Sequence, residues 1–235
     1  MESYHIDYTL RSRDVNMFRR LRTSQLFEIM QETATDHSEL IGTGINVIRS
    51  KGLMWVVALQ LVEIERMPEY GETIRVETWP GRTTHSLYPR YHRITDASGE
   101  AIINTSAIWT LVDVNERRLV SSAQSGIDFG FDRTGRELPL PKPPRTFYTD
   151  SGFEFTVPFS YVDMNGHMNN VKYFDLAENV FPAAAEGRAP RKIVIEYASE
   201  LLLGEKYEIL WGSEGDRYYI RSGGERPSFR IVMDY

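Results

Sequence analysis

Residues 23–41 carry the sequence TSQLFEIMQETATDHSELI, and this stretch decides the fold. Leu26, Ile29 and Met30 recur at the three- and four-residue spacing of one helix face, while glutamate and glutamine fill the opposite face. The spacing predicts an amphipathic helix of about five turns, which Gly42 ends. The apolar face of a single amphipathic helix must pack against another apolar surface. The flanking sequence indicates which elements form that surface.

Strand patterns flank this helix on both sides. The segment before it, 4–10, alternates between polar and apolar residues. Further strand patterns follow it, separated by turn-forming sequences such as PEYG and DASG; they cover residues 54–66, 73–80, 84–95 and 101–114. One long helix among antiparallel strands predicts an α+β fold.

The second part of the chain repeats this order. A strand pattern at 153–159 precedes a predicted helix at 170–185. Strand patterns then follow over residues 192–203, 206–211, 217–221 and 228–233. The sequence LFEI at 26–29 aligns with YFDL at 173–176 when the two parts are superimposed. Agreement of both order and residues predicts a tandem duplication.

A glycine- and proline-rich segment separates the two repeats. Four of its prolines fall within residues 139–144, where the sequence is PLPKPP. Proline removes a backbone donor and favours extended chain, so this segment is predicted to be a semi-rigid linker. We therefore expect an N-terminal domain over residues 1–125, a linker over 126–150 and a C-terminal domain over 151–235.

Composition excludes several classes of function. The 235 residues include 27 basic and 33 acidic ones, and the net charge of -6 argues against a nucleic-acid partner. The absence of cysteine excludes disulfides, thiolate metal sites and a cysteine nucleophile. His85 and His92 have no partner at metal-binding spacing, so neither a metal nor another cofactor is expected. With no leader pattern in its first ten residues and no long apolar run, a cytoplasmic protein without membrane contact is expected.

The densest polar cluster is YVDMNGHMNN at residues 161–170, between a predicted strand and a predicted helix. In an extended segment the spacing of two would point Asp163, Asn165 and His167 the same way, whereas Gly166 favours a turn. A structural turn explains the glycine and the asparagines. It does not explain an acid, an amide and an imidazole together, and this combination predicts a functional site.

The segment DMNGHMNNVKY at 163–173 resembles the motif of the acyl-acyl carrier protein thioesterases of plant plastids and their bacterial relatives. The resemblance continues in matching order through LMWVV at 53–57, PEYGE at 68–72, VETW at 76–79, SAIW at 106–109 and IEYASE at 195–200. It implies a tandem hotdog fold, in which each lobe is a curved antiparallel sheet wrapped around one long helix. It also implies hydrolysis of fatty acyl-acyl carrier protein to free fatty acid.

The resemblance carries the family's catalytic residues over to four positions, namely Asp163, Asn165, His167 and Glu200. Two positions depart from the plant pattern: Tyr161 replaces an acidic residue, and Leu201 replaces a cysteine found in many members. Since no thiol is present, water activation by Glu200 is the simpler mechanism, with Asn165 donating to the carbonyl oxygen. Whether His167 or Glu200 is the principal base stays open. Alternation along the strand also allows Glu200 to lie on a solvated acidic face.

In the alignment of the two repeats, the first repeat lacks all four of these functions. The residues in their places are Asn16, Phe18, Arg20 and Met67. We therefore expect the first lobe to supply the acyl-chain pocket and no catalytic residue. The candidate pocket residues are Phe27, Met30, Leu53, Met54, Trp55, Val57 and Trp109. For each one taken singly, core packing is the commoner role.

An acyl carrier protein is acidic, so its docking requires a local group of cations on this acidic chain. The predicted docking residues are Lys172, Arg188, Arg191 and Lys192, with a second basic cluster at 11–22. Two alternatives remain: an acyl-CoA thioesterase of the same fold, and a non-catalytic acyl-binding protein. The tandem chain can pair its own lobes, so both a monomer and a homodimer are consistent with the sequence.

Overall fold

The computed structural model describes residues 2–129 and 136–235. The strands are β1 Tyr4–Thr9, β2 Leu53–Ile64, β3 Thr73–Pro80, β4 Tyr88–Thr95, β5 Ala101–Asp113, β6 Leu119–Val120, β7 Ser151–Thr156, β8 Lys192–Tyr197, β9 Lys206–Glu214, β10 Arg217–Ser222 and β11 Phe229–Asp234. The helices are α1 Thr23–Leu40, α2 Ile45–Ser50, α3 Ser122–Ser125, α4 Lys172–Val180 and α5 Pro182–Ala185. Within this described part of the chain, no helix has the length and apolar character needed to cross a bilayer.

These strands form one antiparallel sheet in the order β1-β3-β4-β5-β2-β8-β11-β10-β9-β7, with β6 added beside β5. The N-terminal half (β1–β6) and the C-terminal half (β7–β11) join where β2 pairs with β8, from Leu59 opposite Glu196 to Glu63 opposite Lys192. Each half carries one principal helix, α1 or α4. The predicted α+β class and its repeated order are therefore confirmed.

The two principal helices pack against each other on the same face of the sheet. The rings of Phe27 on α1 and Phe174 on α4 stack with centroids 3.7 Å apart. Both rings belong to a buried apolar core that runs through the two halves. These phenylalanines occupy equivalent positions in the LFEI and YFDL segments, so the duplication also determines the helix contact.

A β-bulge changes which residues of β2 face α1. The register against β5 shifts between Val57 and Leu59, leaving Ala58 as the extra residue. A regular strand would place positions 57 and 60 on opposite faces. Because of the extra residue, Val57 and Gln60 both face inward and line the same cavity.

Two predicted elements end earlier than the sequence patterns indicated. The helix predicted at 170–185 is divided into α4 and α5, because Pro182 has no amide hydrogen to continue the first helix. The strand predicted at 192–203 ends at Tyr197, and residues 198–203 form an irregular connection before Gly204. Glu200 therefore lies beyond the strand, and the expectation that it continues the face of Glu196 is wrong.

The chain between the two halves crosses the outer face of the sheet. Arg136 pairs with Glu77 of β3 at 2.8 Å and lies 4.4 Å above the ring of Trp79. Further along, the ring of Phe147 contacts Tyr219 of β10 at a centroid distance of 5.8 Å. This connection thus contacts both halves. Positions 130–135 of the predicted linker lie outside the described residues.

Candidate active site

The polar segment after β7 forms a tight turn. The Asp163 amide donates to the His167 carbonyl at 2.9 Å, and the Gly166 amide donates to the Asp163 carbonyl at 3.0 Å. Gly166 has a φ of 84°, a conformation that glycine adopts at little cost. The extended-chain interpretation of the spacing at 163, 165 and 167 is therefore wrong, because the chain reverses within this segment.

The carboxylate of Asp163 holds the turn and orients Asn165. Its Oδ1 accepts the Asn165 backbone N–H at 2.8 Å, and its Oδ2 faces Asn165 Nδ2 at 3.4 Å. On the other side, Arg49 of α2 donates to Asn165 Oδ1 at 3.0 Å. A guanidinium only donates, so this contact fixes which end of the amide is oxygen. The second N–H of Nδ2 remains available for a ligand oxygen.

Glu200 contacts His167, the last residue of the turn. His167 Nδ1 lies 3.2 Å from Glu200 Oε1, and their side chains are 20% and 29% exposed. The two loops are joined by a backbone hydrogen bond of 2.8 Å from Met168 to Leu201. Arg117, in the turn between β5 and β6, donates to the other carboxylate oxygen, Oε2. The carboxylate therefore has a different partner at each oxygen and stays within reach of solvent.

This geometry suits acid–base chemistry on a bound water. A carboxylate that accepts the Nδ1 proton of an imidazole leaves Nε2 able to accept a proton or to hold a water. The remaining Asn165 donor is of the kind that stabilises a developing oxyanion. Among residues 2–129 and 136–235, no three histidine, aspartate or glutamate side chains gather as metal ligands would.

Two neighbouring cavities lie under the turn, between α1 and the sheet. The outer cavity has a volume of about 170 Å³ and reaches Asp163 and Asn165. Of the predicted pocket residues, it is lined by Leu53, Met54, Trp55 and Trp109. The inner cavity has a volume of about 20 Å³ and is lined by Phe27, Met30, Val57 and again Trp109. All seven predicted residues thus border one cavity or the other, and their role in acyl binding stays a prediction.

The cavity walls also carry polar residues that sequence reasoning missed. Arg90 is 94% buried, its pKa is lowered to about 10 by burial, and it donates to His37 Nδ1 at 3.2 Å and to Ser38 Oγ at 3.1 Å. Burial likewise lowers the pKa of His92 to about 3, so its imidazole is neutral near pH 7. The alternation of β4 could have predicted these polar wall residues, because Arg90 and His92 share the inner face of this strand with Tyr88.

Two residues of the N-terminal half reach the polar cluster, although that half was expected to provide only a pocket. Arg49 contacts Asn165, and Arg117 contacts Glu200. Neither arginine stands in a recognisable motif. Their positions depend on how the two halves pack against each other. A local sequence pattern does not indicate that packing.

The structure does not bring the four predicted docking residues together. Lys172 lies at the polar turn, with its ammonium 5.6 Å from the Tyr161 ring centroid. Arg188 pairs with Asp216 at 2.7 Å, and Lys192 pairs with Glu63 at 3.4 Å. Arg191 and Lys192 stand at the start of β8, whereas Glu200 follows its end. At roughly 3.3 Å per strand residue, the strand alone separates them by about 16 Å.

The N-terminal half contains the same turn without the Asp163, Asn165 and His167 side chains. At residues 16–20 the Phe18 amide donates to Asn16 Oδ1 at 3.0 Å, just as the Asn165 amide donates to Asp163 Oδ1 at 2.8 Å. The backbone bond that closes this turn is 2.8 Å long, against 2.9 Å in the polar turn. The turn is thus an inherited element of the repeat, and the chemistry-bearing side chains occur in one copy.

Comparisons with known proteins agree with both the fold and the motif. Residues 1–126 match the family model of the acyl-ACP thioesterase N-terminal domain, and residues 148–225 match that of the C-terminal domain. A chloroplastic palmitoyl-acyl carrier protein thioesterase of Cuphea hookeriana is 25% identical over 212 residues, which cover 83% of this chain and 51% of the relative. A chloroplastic dodecanoyl-[acyl-carrier-protein] hydrolase of Umbellularia californica is 26% identical over 211 residues, covering 82% and 55%. The chain thus spans about half the length of these curated relatives.

Solved structures show the same architecture over the whole chain. An acyl-ACP thioesterase from Bacteroides thetaiotaomicron superimposes with a TM-score of 0.86 at 19% identity, covering 99% of this chain and 97% of that one. The 12:0-ACP thioesterase from Umbellularia californica gives 0.80 at 23% identity, with coverages of 99% and 96%. The tandem hotdog fold is therefore confirmed.

Proposed function

The chain belongs to the acyl-acyl carrier protein thioesterase family, and from this premise we propose that it hydrolyses fatty acyl-acyl carrier protein to free fatty acid and carrier protein. One observation carries the proposal. His167 and Glu200 pair at 3.2 Å beside an amide-bearing turn that opens onto a cavity between α1 and the sheet. Such a site can hold a water next to a thioester whose acyl chain is sheltered.

In the proposed mechanism Glu200 is the general base. It removes a proton from a water that hydrogen-bonds to a remaining lone pair of its carboxylate, beside the His167 contact, and the water oxygen attacks the thioester carbonyl carbon. The free N–H of Asn165 donates to the developing oxyanion, while Asp163 and Arg49 hold that amide in place. Collapse of the intermediate breaks the C–S bond, and the leaving sulfur takes up the proton that Glu200 removed from the water, which restores the carboxylate as the acid product departs.

A carrier-protein substrate is favoured by the basic residues around the polar turn. Arg49, Arg117 and Lys172 surround it on a chain whose net charge is -6. A local basic rim on an acidic protein attracts an acidic partner to that rim and repels it elsewhere. Of the predicted docking residues, we propose Lys172 for this role because it adjoins the polar turn, where it also pairs with Asp175 at 2.9 Å, whereas Arg188, Arg191 and Lys192 lie towards the other end of β8.

The test offers purified protein with acyl-carrier thioesters and acyl-CoA thioesters of several chain lengths and measures released fatty acid. We expect hydrolysis of both substrate types, with the higher kcat/KM on the carrier-protein thioesters. A higher value on the CoA thioesters would instead identify an acyl-CoA thioesterase. Tight binding of either substrate without release of acid would identify an acyl-binding protein and overturn the proposal.

A further inference from the structure

The inner cavity has a polar side that the proposed mechanism does not use. Three amide side chains line it: Gln31 of α1, Gln60 of β2 and Asn170 just before α4. Gln60 is 92% buried. None of the three side-chain amides makes a hydrogen bond to another residue within the described ranges. An amide as buried as that of Gln60 is unfavourable without a partner, so the group of Gln60 with the half-buried Gln31 and Asn170 suits a ligand atom that can hydrogen-bond to it.

The other polar groups around this cavity already have partners. His92 Nε2 donates to the Met30 carbonyl at 3.0 Å, and His92 Nδ1 faces the Thr105 hydroxyl at 3.4 Å. The Tyr197 hydroxyl donates to the Asn170 carbonyl at 3.0 Å. The rest of the lining is apolar and includes Phe27, Met30, Val57, Ala107 and Trp109. The unused hydrogen-bonding capacity therefore belongs to the three amides.

Gln60, the deepest of the three amides, lies where the distal part of an acyl chain would reach, whereas Gln31 and Asn170 also line the outer cavity. The outer cavity touches the catalytic turn and the first three residues of β2, up to Trp55. The inner cavity begins at Val57 and extends to Gln60. At roughly 3.3 Å per residue, Gln60 is about 16 Å further along the strand than Trp55. A thioester at the turn thus leaves Gln60 to contact atoms well down the acyl chain.

We propose that the inner cavity selects acyl chains that carry a neutral oxygen substituent, a hydroxyl or keto group, on their distal part, bound by Gln60 together with Gln31 and Asn170. An amide both donates and accepts, which matches a hydroxyl and, through its N–H groups, a keto oxygen. No lysine or arginine lines this cavity among the described residues, so a chain ending in a carboxylate would be buried without a counter-ion. The inference rests on the proposed thioesterase function and names its substrate class.

The competing explanation is a resident water. A volume of about 20 Å³ holds one water molecule, and three amides offer enough polar partners for it. In that case a plain chain and an oxygenated chain of equal length are hydrolysed alike, or the plain chain is preferred.

The experiment compares two acyl-carrier thioesters of equal length, one saturated and one with a hydroxyl on the distal half of the chain. We expect kcat/KM to be at least about tenfold higher for the hydroxylated substrate, because a site built to bond a hydroxyl rejects an analogue without it. The Gln60→Met variant should bring that ratio close to one. The matched control is Leu61→Met, which changes the outward-facing neighbour on β2 and should keep the ratio.

Equal kcat/KM for the two substrates in the wild-type protein, or a ratio that Gln60→Met leaves unchanged, overturns the inference and supports the resident water. If Gln60→Met does not fold, Gln31→Met at a half-buried position provides the second measurement. If no thioester is hydrolysed, the proposed function fails by itself. Calorimetric binding of the two free fatty acids then tests the selection separately, with tighter binding of the hydroxylated acid expected and equal binding contradicting it.

Discussion

At the scale of single residues, the arrangement around Glu200 depends on both halves of the chain. One carboxylate oxygen contacts His167 of the C-terminal half, and the other accepts a hydrogen bond from Arg117 of the N-terminal half. The Arg117 side chain is 53% exposed, so this ion pair adds little to stability. Its effect is to hold the carboxylate in one orientation, with Oε1 directed at the imidazole.

This contact predicts that Arg117 is a positioning residue for the reaction. Arg117→Ala should lower kcat by about tenfold, because a misplaced base loses its alignment with the attacking water. Arg118→Ala is the matched control, since that neighbour pairs with Glu116 in the same turn and not with Glu200. Steady-state kinetics of the two variants decide the matter. An equal effect of both substitutions would contradict the assignment.

The sequence allowed some of the site residues to be predicted and not others. Asp163, Asn165 and His167 fall in one short motif, so the sequence alone predicts that they lie close together. Glu200 follows 33 positions later and was reached through the family resemblance, and the structure places it against His167. Arg49 and Arg117 contribute through the packing of the N-terminal half on the C-terminal half. Side chains brought in by that packing leave no local pattern.

At the scale of elements, the helix periodicity was more informative than the strand alternation. The period of α1 predicts its inner face, and Leu26, Ile29 and Met30 are all buried. In β2 the bulge at Ala58 breaks the alternation. No turn residue or proline in this strand indicates that a bulge is present. The bulge brings Gln60 into the cavity wall, so a strict alternation that starts from Val57 would place this amide on the outer face.

The inward side of β2 should therefore set chain length. Val57→Ala widens the inner cavity and should shift the kcat/KM optimum towards longer acyl chains, while sparing the polar turn. The matched control is Val56→Ala, the same change on the adjacent residue outside this cavity, which should leave the optimum in place. A series of saturated acyl-carrier thioesters measures the shift. A fall in rate at every length, with the optimum unmoved in Val57→Ala, would contradict a pocket role.

At the scale of the whole molecule, the duplication explains the positions of both turns. The Leu21 amide donates to the Pro68 carbonyl at 2.9 Å, as the Met168 amide donates to the Leu201 carbonyl at 2.8 Å. Each turn is thus joined in the same way to the segment that follows the strand, β2 or β8, through which its half pairs with the other. The sequence echoes predicted this correspondence because duplicated backbones preserve their hydrogen bonds even when the side chains diverge.

The two copies have diverged in their surroundings as well as in their side chains. The first copy has Arg20 donating to the Gly187 carbonyl at 2.6 Å, where the second has His167 facing Glu200. One turn thus connects the N-terminal half to the loop after α5, and the other carries the polar cluster. After a duplication, one copy of a turn can have a structural role while the other carries polar side chains suited to chemistry.

The most direct test of the account is the turnover of the Glu200→Gln variant on acyl-carrier thioester. This substitution keeps the shape of the side chain and removes its basic carboxylate, so kcat should fall by about two orders of magnitude or more, with the melting temperature little changed. Glu196→Gln, one position before the end of β8, is the control and should keep its activity. Near-normal turnover in Glu200→Gln, with its fold intact, would contradict the assignment of Glu200 as the base.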